Sequence, residues 1–164
     1  MKKYELTNET VEICGHKLSR IRALTDFGSV KSGELGGFVE KESNLSHDGK
    51  AWVFDNAKVC DDAKVFGNAW VCGNAKVCGN AKVCGKAWVC GNAEVCGKAW
   101  VFGNAEVSDN AKVCGNAEVS DNAKVCDDAK VFGNAWVCGS AWVCGSAEVC
   151  GNAEVCGNAK VCSG

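Results

Sequence analysis

The feature that most constrains this chain is a six-residue repeat, which runs without insertion from Ala51 to Gly164. It occurs nineteen times, with alanine at the first position and valine at the third position of every hexad. The second position is Lys, Glu or Trp and the fourth is Cys, Phe or Ser, while glycine or aspartate dominates the fifth and asparagine the sixth. Repetition at a fixed short period predicts a solenoid, in which each unit is stable only when it stacks on its neighbours.

The alternation within each hexad predicts a short strand followed by a corner. Alanine and valine lie two residues apart, so they share one face of the strand and the variable residue between them takes the other. Because only the Ala/Val set is apolar in every hexad, we expect it to face the core. Gly-Asn or Asp-Asn then supplies the corner, since these residues tolerate the positive φ of a sharp bend. Coils of this kind pair their backbones about 4.8 Å apart.

Shifted in phase, the hexad reads Val-Cys-Gly-Asn-Ala-Lys. In this form it resembles the hexapeptide-repeat family of left-handed β-helices, in which an aliphatic residue is followed four positions later by a small one. The resemblance implies an all-β fold, a single-stranded left-handed parallel β-helix of triangular section, with about eighteen residues per turn and about seven turns. Handedness comes from the resemblance alone, because periodicity by itself also allows a right-handed or a four-sided solenoid.

The first part of the chain lacks the repeat and is predicted to be a small N-terminal β cap. We expect strands at Lys3–Leu6, Thr10–Cys14 and Lys17–Leu24, with a hairpin turn at Gly15-His16. A solenoid end exposes a row of unpaired backbone N–H and C=O groups. A segment placed over the first coil protects that edge.

The join between cap and array shows in the spacing of two apolar residues. Val39 and Leu45 are six residues apart and fit the inward positions of an imperfect first coil. A two-residue slip around Asp48-Gly49 then sets the phase of the regular array. The chain is thus predicted to divide into an N-terminal β-hairpin cap segment, residues 1–38, and a hexapeptide-repeat β-helix, residues 39–164.

A second resemblance lies in three runs of the leader: Ala23-Leu24-Thr25-Asp26-Phe27, Gly36-Gly37-Phe38-Val39-Glu40 and Asn44-Leu45-Ser46. They resemble a group of bacterial and prophage hexapeptide-repeat proteins that tend to be labelled transferase-like, and the resemblance spans the whole chain. That label follows the fold, and a fold does not by itself determine a function.

Tryptophan at the outward second position marks the candidate interaction surface. With eighteen residues per turn, four tryptophans fall on one face and two on another: Trp52, Trp70, Trp88 and Trp142, then Trp100 and Trp136. Each ring can bury about 150–250 Å², so a run in consecutive coils makes an apolar patch large enough for an interface. The alternative is that the rings stack on one another and stiffen the sheet. Sugar binding is disfavoured, because coils about 4.8 Å apart leave no room for one sugar per ring.

Thirteen of the fourteen cysteines occupy the fourth hexad position, and Cys14 is the exception. Stacking by turn places them in vertical pairs about 4.8 Å apart, within the Cα range of about 4.4–6.8 Å that a disulfide allows. The N-terminus has no secretory h-region, so we expect a cytoplasmic protein with reduced thiols. We interpret cysteine as a small, soft residue that fits a corner. A line of sulfurs does not offer zinc a tetrahedron, so no metal site is predicted.

The repeat array contains no histidine and no inserted loop, two features that acyltransferases of the hexapeptide-repeat family use. The only histidines are His16 and His47 in the leader, and only His47 lies near enough to the first coils to act as a general base. An acyltransferase-like enzyme is therefore the alternative hypothesis, and no catalytic residue or cofactor is assigned. The lack of histidine also disfavours a three-histidine zinc centre, and the scarcity of threonine disfavours an ice-binding face.

The favoured function is a non-catalytic scaffold or protein-interaction module. A net charge of −2 without a basic face gives no reason to expect nucleic acid as a partner. No apolar run reaches the roughly 18 residues of a membrane helix. We expect a protein partner, either a second copy or a host or phage protein. Self-association is predicted through the tryptophan face or, as a homodimer, through the uncovered C-terminal coil.

Overall fold

The computed structural model describes residues 2–163 and is an all-β solenoid. Three longer strands come first, β1 (Tyr4–Ile13), β2 (His16–Ala23) and β3 (Leu35–Val39), and a 3₁₀ turn follows at Glu42–Asn44. The hexads then supply one short strand each: β4 (Trp52–Val53), β5 (Lys58–Val59), β6 (Lys64–Val65), β7 (Trp70–Val71), β8 (Lys76–Val77), β9 (Lys82–Val83), β10 (Trp88–Val89), β11 (Glu94–Val95), β12 (Trp100–Val101), β13 (Glu106–Val107), β14 (Lys112–Val113), β15 (Glu118–Val119), β16 (Lys124–Val125), β17 (Lys130–Val131), β18 (Trp136–Val137), β19 (Trp142–Gly145), β20 (Glu148–Val149), β21 (Glu154–Val155) and β22 (Lys160–Ser163).

Every third hexad stacks on the same side of the molecule, so the array has three faces. Trp70 pairs in parallel with Trp88, and Val71 with Val89, and this step of 18 residues recurs through the array. We name the faces first, second and third after their first strands in the array, β4, β5 and β6. The predicted parallel β-solenoid of about seven turns is confirmed.

The core consists almost entirely of the two invariant residues of each hexad. From Ala51 to Val143 the inward alanines and valines are at most 1 % exposed. Both side chains are small, so three strands can pack closely around a narrow axis. Backbone hydrogen bonds join each coil to the next, as between the Cys72 N–H and the Val89 carbonyl at 2.9 Å.

The fifth residue of each hexad shapes the corner. It is glycine or aspartate with positive φ in every hexad from Asp55 to Gly157. Glycine enters this left-handed region without strain, and aspartate tolerates it better than most residues. Aspartate also adds an acceptor, since Asp61 Oδ2 accepts the N–H of Gly79, one coil later, at 3.0 Å. The corner chemistry predicted from the Gly/Asp-Asn pattern is confirmed.

The cap extends the second face beyond the first coil. β1 and β2 form an antiparallel hairpin, and β3 pairs antiparallel with β2 and in parallel with β5. Val39 pairs in parallel with Val59, and Leu45 forms a parallel β-bridge with Val65. These steps, 39 to 59 and 45 to 65, are each two residues longer than the regular step. The two-residue slip predicted around Asp48-Gly49 accounts for them.

Two glycines allow β3 to approach the first coil closely. A Cβ atom at Gly36 would stand 2.6 Å from the carbonyl oxygen of Val53, and one at Gly37 would meet the carbonyl oxygen of Ala57. The predicted boundary after residue 38 falls inside β3, whose last residue, Val39, is already an inward residue of the solenoid. Among residues 2–163 no helix is long and apolar enough to cross a membrane.

The hairpin of the cap differs from its prediction in two respects. The turn is Cys14-Gly15, one residue before the predicted Gly15-His16, because both turn residues take positive φ (+49° and +82°) and His16 pairs with Ile13. The strands predicted at Lys3–Leu6 and Thr10–Cys14 form a single strand, β1, with a register shift between them.

Candidate functional site

The six tryptophans take the outward position of their hexads, but their surroundings differ. Trp52 is fully buried, because the cap covers it with Phe27 (ring centroids 5.2 Å apart) and Tyr4 (6.1 Å), both in edge-on contact. Its indole N–H finds no hydrogen-bond partner within the described part of the chain. Trp52 is therefore a core residue. Its predicted place in an interaction surface is corrected, since a side chain enclosed by the cap cannot reach a partner.

Trp70 and Trp88 are the surface members of the same run. Their rings stack with centroids 5.4 Å apart and planes inclined by 3°, and Phe54 tilts against Trp70 at 4.9 Å. A groove of about 290 Å³ lies beside the stack and is lined also by Phe27 and Lys86. The two rings thus stack on each other, and Trp88 is 44 % exposed.

Trp142, further along the first face, lies between two lysines. Lys124 stands one coil before it and Lys160 one coil after it, with ammonium groups 5.3 and 5.1 Å from the ring centroid. Cations held over an indole face are attracted by its π electrons. An aromatic group from a partner would have to displace a lysine to stack on this ring.

The third face carries the two remaining tryptophans, and both are open to solvent. Trp136 is 47 % exposed and Trp100 is 39 % exposed. From the capped end, the outward residues of this face are Lys64, Lys82, Trp100, Glu118, Trp136 and Glu154. Positive charge thus lies in the capped half of the face and negative charge in the other half. Within the chain, Lys82 Nζ lies 5.3 Å from the Trp100 ring centroid.

The repeat cysteines line the three edges of the prism. Reduced thiols are the expectation from the sequence, but three vertical pairs are disulfide-bonded, each with Cα atoms 4.6 Å apart: Cys72–Cys90, Cys138–Cys156 and Cys144–Cys162. One coil is therefore a suitable span for a bridge. The edge that follows the second face carries four consecutive free cysteines, which we call the thiol ladder: Cys60, Cys78, Cys96 and Cys114.

Hydrogen bonds along the thiol ladder make its members unequal in acidity. The pKa of Cys78 is lowered, mainly because first Cys60 and then Cys96 donate S–H hydrogen bonds to its sulfur. The pKa values of Cys60 and Cys96 are raised, in each case chiefly by that hydrogen bond and next by burial. These hydrogen bonds link three consecutive cysteines of the ladder.

A histidine clamp joins the cap to the head of the thiol ladder. His16 Nδ1 lies 2.9 Å from Glu40 Oε2, and His16 Nε2 lies 3.1 Å from Asp61 Oδ1. The hydrogen bond with Glu40 is the main cause of the raised pKa of His16. The sulfurs of Cys60 and Cys78 and a carboxylate oxygen of Asp61 also lie within 4.8 Å of one another. Sequence spacing does not reveal this cluster, because its members come from the cap and from two coils.

His47, the histidine nearest the first coils, is held within the cap. Its Nδ1 accepts the backbone N–H of Lys3 at 3.1 Å, and its Nε2 lies 3.0 Å from Glu42 Oε1. Its ring stacks on Tyr4 with centroids 4.2 Å apart. Both ring nitrogens thus tie the start of the chain to the 3₁₀ turn, which gives His47 a structural role.

Comparison with known proteins adds no relative to these observations. No protein-family model matches this chain, and no curated protein matches it.

Proposed function

We propose that this chain is a non-catalytic β-solenoid that serves as a protein-interaction module, and that its partner is a second copy bound through the third face. The observation that supports this proposal is the order of the outward residues on that face: Lys64, Lys82, Trp100, Glu118, Trp136 and Glu154. Two exposed indole rings supply apolar contact area. The lysines in one half of the face and the glutamates in the other half fix how two copies align.

A second copy placed antiparallel, with a two-fold axis between Trp100 and Glu118, meets a complementary group at the four outer rungs, while Trp100 faces Glu118 at the two central rungs. Lys64 then faces Glu154, and Lys82 faces Trp136. Opposite charges and cation–π contacts favour this alignment, and the common pitch of about 4.8 Å keeps all rungs in step. A contact of this kind uses the same surface on both copies, so it closes as a dimer.

The first face is a poorer site for the same contact. Its central outward residue, Glu106, would face its own copy in an antiparallel dimer, and like charges repel. Trp52 is buried, and Trp142 already lies between two lysines. For these reasons we propose the contact on the third face. The sequence alone favoured the first face, with the run that begins at Trp52.

The proposed contact is small. Six rungs make a strip about 25–30 Å long, and a contact on one face of a narrow prism falls at or below the low end of the usual range of about 1,200–2,000 Å². We therefore expect a reversible dimer whose population rises with concentration.

Sedimentation equilibrium of the full chain over a concentration series tests this proposal. Changing Trp100 and Trp136 together to lysine should abolish the dimer, because the apolar contacts are lost and positive charge then covers most of the face. The matched control changes Trp88 and Trp142 to lysine, which removes the same number of tryptophans and adds the same charge on the first face. That control should leave the dimer constant unchanged.

Charge reversal provides an independent check of the alignment. Lys64→Glu alone should weaken the dimer, since two glutamates would then face each other at that rung. Combining Lys64→Glu with Glu154→Lys should restore the dimer. A monomer at every concentration, or equal losses from both tryptophan double variants, would contradict the proposal.

The other predicted contact is through the C-terminal coil, and the same sedimentation measurement distinguishes it. The inward alanines Ala153 and Ala159 are exposed at that end of the described chain. If this end is the contact, the dimer survives the change at Trp100 and Trp136 and is lost in Val161→Lys.

The hexad and the 18-residue step also support the proposal that this chain is a member of the hexapeptide-repeat family, with the left-handed coil which that membership implies. A cytoplasmic location and a bacterial or prophage origin stay predictions. The acyltransferase alternative finds no supporting observation in the site, because His47 is engaged within the cap.

A further inference from the structure

The thiol ladder differs from the other two edges of the prism. On those edges, fourth-position serines and phenylalanines or disulfides interrupt the free cysteines within the described residues. On the edge after the second face, four free cysteines follow one another before Phe132 ends the run. A row of adjacent thiols at a fixed spacing is a chemical feature that neither the core nor the proposed interface needs.

The backbone fixes the spacing of the ladder. The N–H of Cys60 donates to the carbonyl of Val77 at 3.0 Å, and the N–H of Cys78 donates to that of Val95 at 2.9 Å. The Cα atoms of consecutive ladder cysteines are therefore held one coil, about 4.8 Å, apart. Rotation about the Cα–Cβ bonds then sets the distance between the two sulfurs, which are bonded to each other in the three disulfides. The spacing thus lets two consecutive sulfurs turn toward one metal ion between them.

The number of ligands argues against zinc. A structural zinc site uses four ligands, whereas the described residues bring together three at the head of the ladder, the sulfurs of Cys60 and Cys78 and a carboxylate oxygen of Asp61. Thiolate ligands select soft cations such as Cu(I), and Cu(I) accepts two-coordinate linear geometry. The type and the number of ligands therefore point to the same class of ion.

The surroundings of the upper rungs suit a soft cation bound by two thiolates. Cys60 is 8 % exposed and packs with the buried side chains of Leu18 and Phe38, with Cys78 beside them. A cavity of about 240 Å³ is lined by Cys60 and Cys78 together with two lysines and two acidic residues, Lys58, Lys76, Asp61 and Glu94. Because these charges balance, the apolar packing of Cys60 is the feature that favours a soft cation.

We propose that the thiol ladder binds Cu(I), with each ion held linearly between the sulfurs of cysteines in consecutive coils. Entry of one ion between two thiols forms two Cu–S bonds and releases two protons, and the complex of one Cu⁺ with two thiolates has a net charge of −1. No electron is transferred in this step. The edge after the second face borders the third face, but the site uses none of the outward residues of the proposed dimer contact.

Anaerobic titration of the full chain with Cu(I), in competition with the chromophoric chelator bicinchoninate, tests this proposal. No reducing agent is added to the purified chain before the titration, so that the three disulfides stay in place. Cys60→Ser combined with Cys96→Ser separates the remaining ladder cysteines by two coils and removes every adjacent pair. This variant should lose at least one tightly bound Cu(I) per chain.

The chain also offers a control with the same number of thiols. Cys84 lies between Phe66 and Phe102 on its edge, and Cys150 is separated from the ladder by Phe132. Cys84→Ser combined with Cys150→Ser removes two isolated thiols, and it should leave the bound Cu(I) unchanged.

X-ray absorption at the copper edge should show a first shell of two sulfurs in the parent chain. Circular dichroism establishes that both double variants keep the β fold, so that a loss of copper reports on the site. Equal copper uptake by the two double variants would overturn the proposal. So would a parent chain that takes no Cu(I) from the chelator, or a first shell of nitrogen and oxygen atoms.

Discussion

Trp52 and Trp70 are register partners in adjacent coils of the first face, yet the first is completely buried and the second lies at the surface. The difference comes from the cap, since Tyr4 and Phe27 enclose the Trp52 ring, while Trp70 continues outward into a stack with Trp88. The outward position of a hexad is therefore a surface position only where the cap does not reach it.

Trp52→Ala should lower the free energy of unfolding by about 3–5 kcal/mol, because it leaves a large cavity between the cap and the first coil. Trp136→Ala, at a position 47 % exposed, should change the same quantity by about 1 kcal/mol or less. Urea denaturation followed by circular dichroism measures both. Similar losses in the two variants would mean that the cap does not anchor on Trp52.

Asn44 is a second anchor, and we expect Asn44→Ala to destabilise the chain by about 2–4 kcal/mol. Its fully buried amide accepts the N–H groups of Glu40 and Lys41 at 3.0 and 2.8 Å and donates to the carbonyls of Asp61 and Ala63 at 3.1 and 2.8 Å. Removing it leaves four backbone groups without that partner, and the Ala63 carbonyl among them is in a buried hydrogen bond. Hydrogen exchange at the Glu40 and Lys41 amides should accelerate.

The control for Asn44 is Asn92→Ala. The exposed Asn92 amide makes a single side-chain bond, to Asn110 at 3.3 Å, so its removal should change the free energy of unfolding by less than about 0.5 kcal/mol. If both variants are equally stable, the buried network does not hold the join between cap and array.

The clamp at His16 should make the docking of the hairpin depend on pH. The pKa of His16 is raised, first by its hydrogen bond with Glu40. The contribution of His16 to the free energy of unfolding is therefore complete below its unfolded pKa of about 6.5. It is lost as pH rises through the raised pKa. The pKa of Glu40 is lowered, first by the same hydrogen bond, so its contribution is present above about 4.3 and is lost as pH falls through the lowered value. The clamp is therefore strongest between about pH 4.3 and 6.5.

His16→Gln measures this contribution. The difference in unfolding free energy between the parent chain and the variant should be largest in that window and should shrink as the pH rises beyond it. The His16 resonance in an NMR titration should give a pKa above the usual value. A difference that does not change between pH 5 and 9 would argue against a charged clamp.

Corner aspartates should be replaceable by glycine but not by alanine. Asp127 has φ of +59°, and its Oδ2 accepts the Gly145 N–H at 2.9 Å. Asp127→Gly loses that bond but relieves the strain of a positive φ, so the net change should be within about 1 kcal/mol. Asp127→Ala loses the bond and keeps the strain, and should be destabilised by about 2–3 kcal/mol. Equal melting temperatures for the two variants would contradict this account.

The repeat predicts most of the fold because a single physical rule is applied nineteen times. Inward alanine and valine, positive φ at the fifth residue and the slip near Gly49 all follow from side-chain size, backbone freedom and residue count. The cap offers no such redundancy. The burial of Trp52 depends on contacts with Tyr4 and Phe27, which no spacing encodes, and the turn at Cys14-Gly15 requires a cysteine with positive φ.

The candidate sites, like the fold, could be predicted from the sequence only in part. Residue spacing places Trp100 and Trp136 on one face and stacks the cysteines along an edge, so the members of both sites can be read from the chain. Spacing does not give their environment. Trp142 is flanked by lysines, Cys78 accepts two S–H hydrogen bonds, and His16 arrives from the cap, and each of these depends on side-chain positions in three dimensions.

The 18-residue step has a consequence for how such a chain can change length by insertion and deletion. Loss of one hexad, such as residues 87–92, would leave every alanine and valine in the core but would set Phe102 above Cys78 and end the thiol ladder there. Loss of three hexads, such as residues 79–96, would shorten the prism by one coil and set Cys114 in the vacated place. Recombination in whole turns therefore keeps every remaining residue on its own face, while recombination in single hexads keeps the fold and moves every later residue to another face.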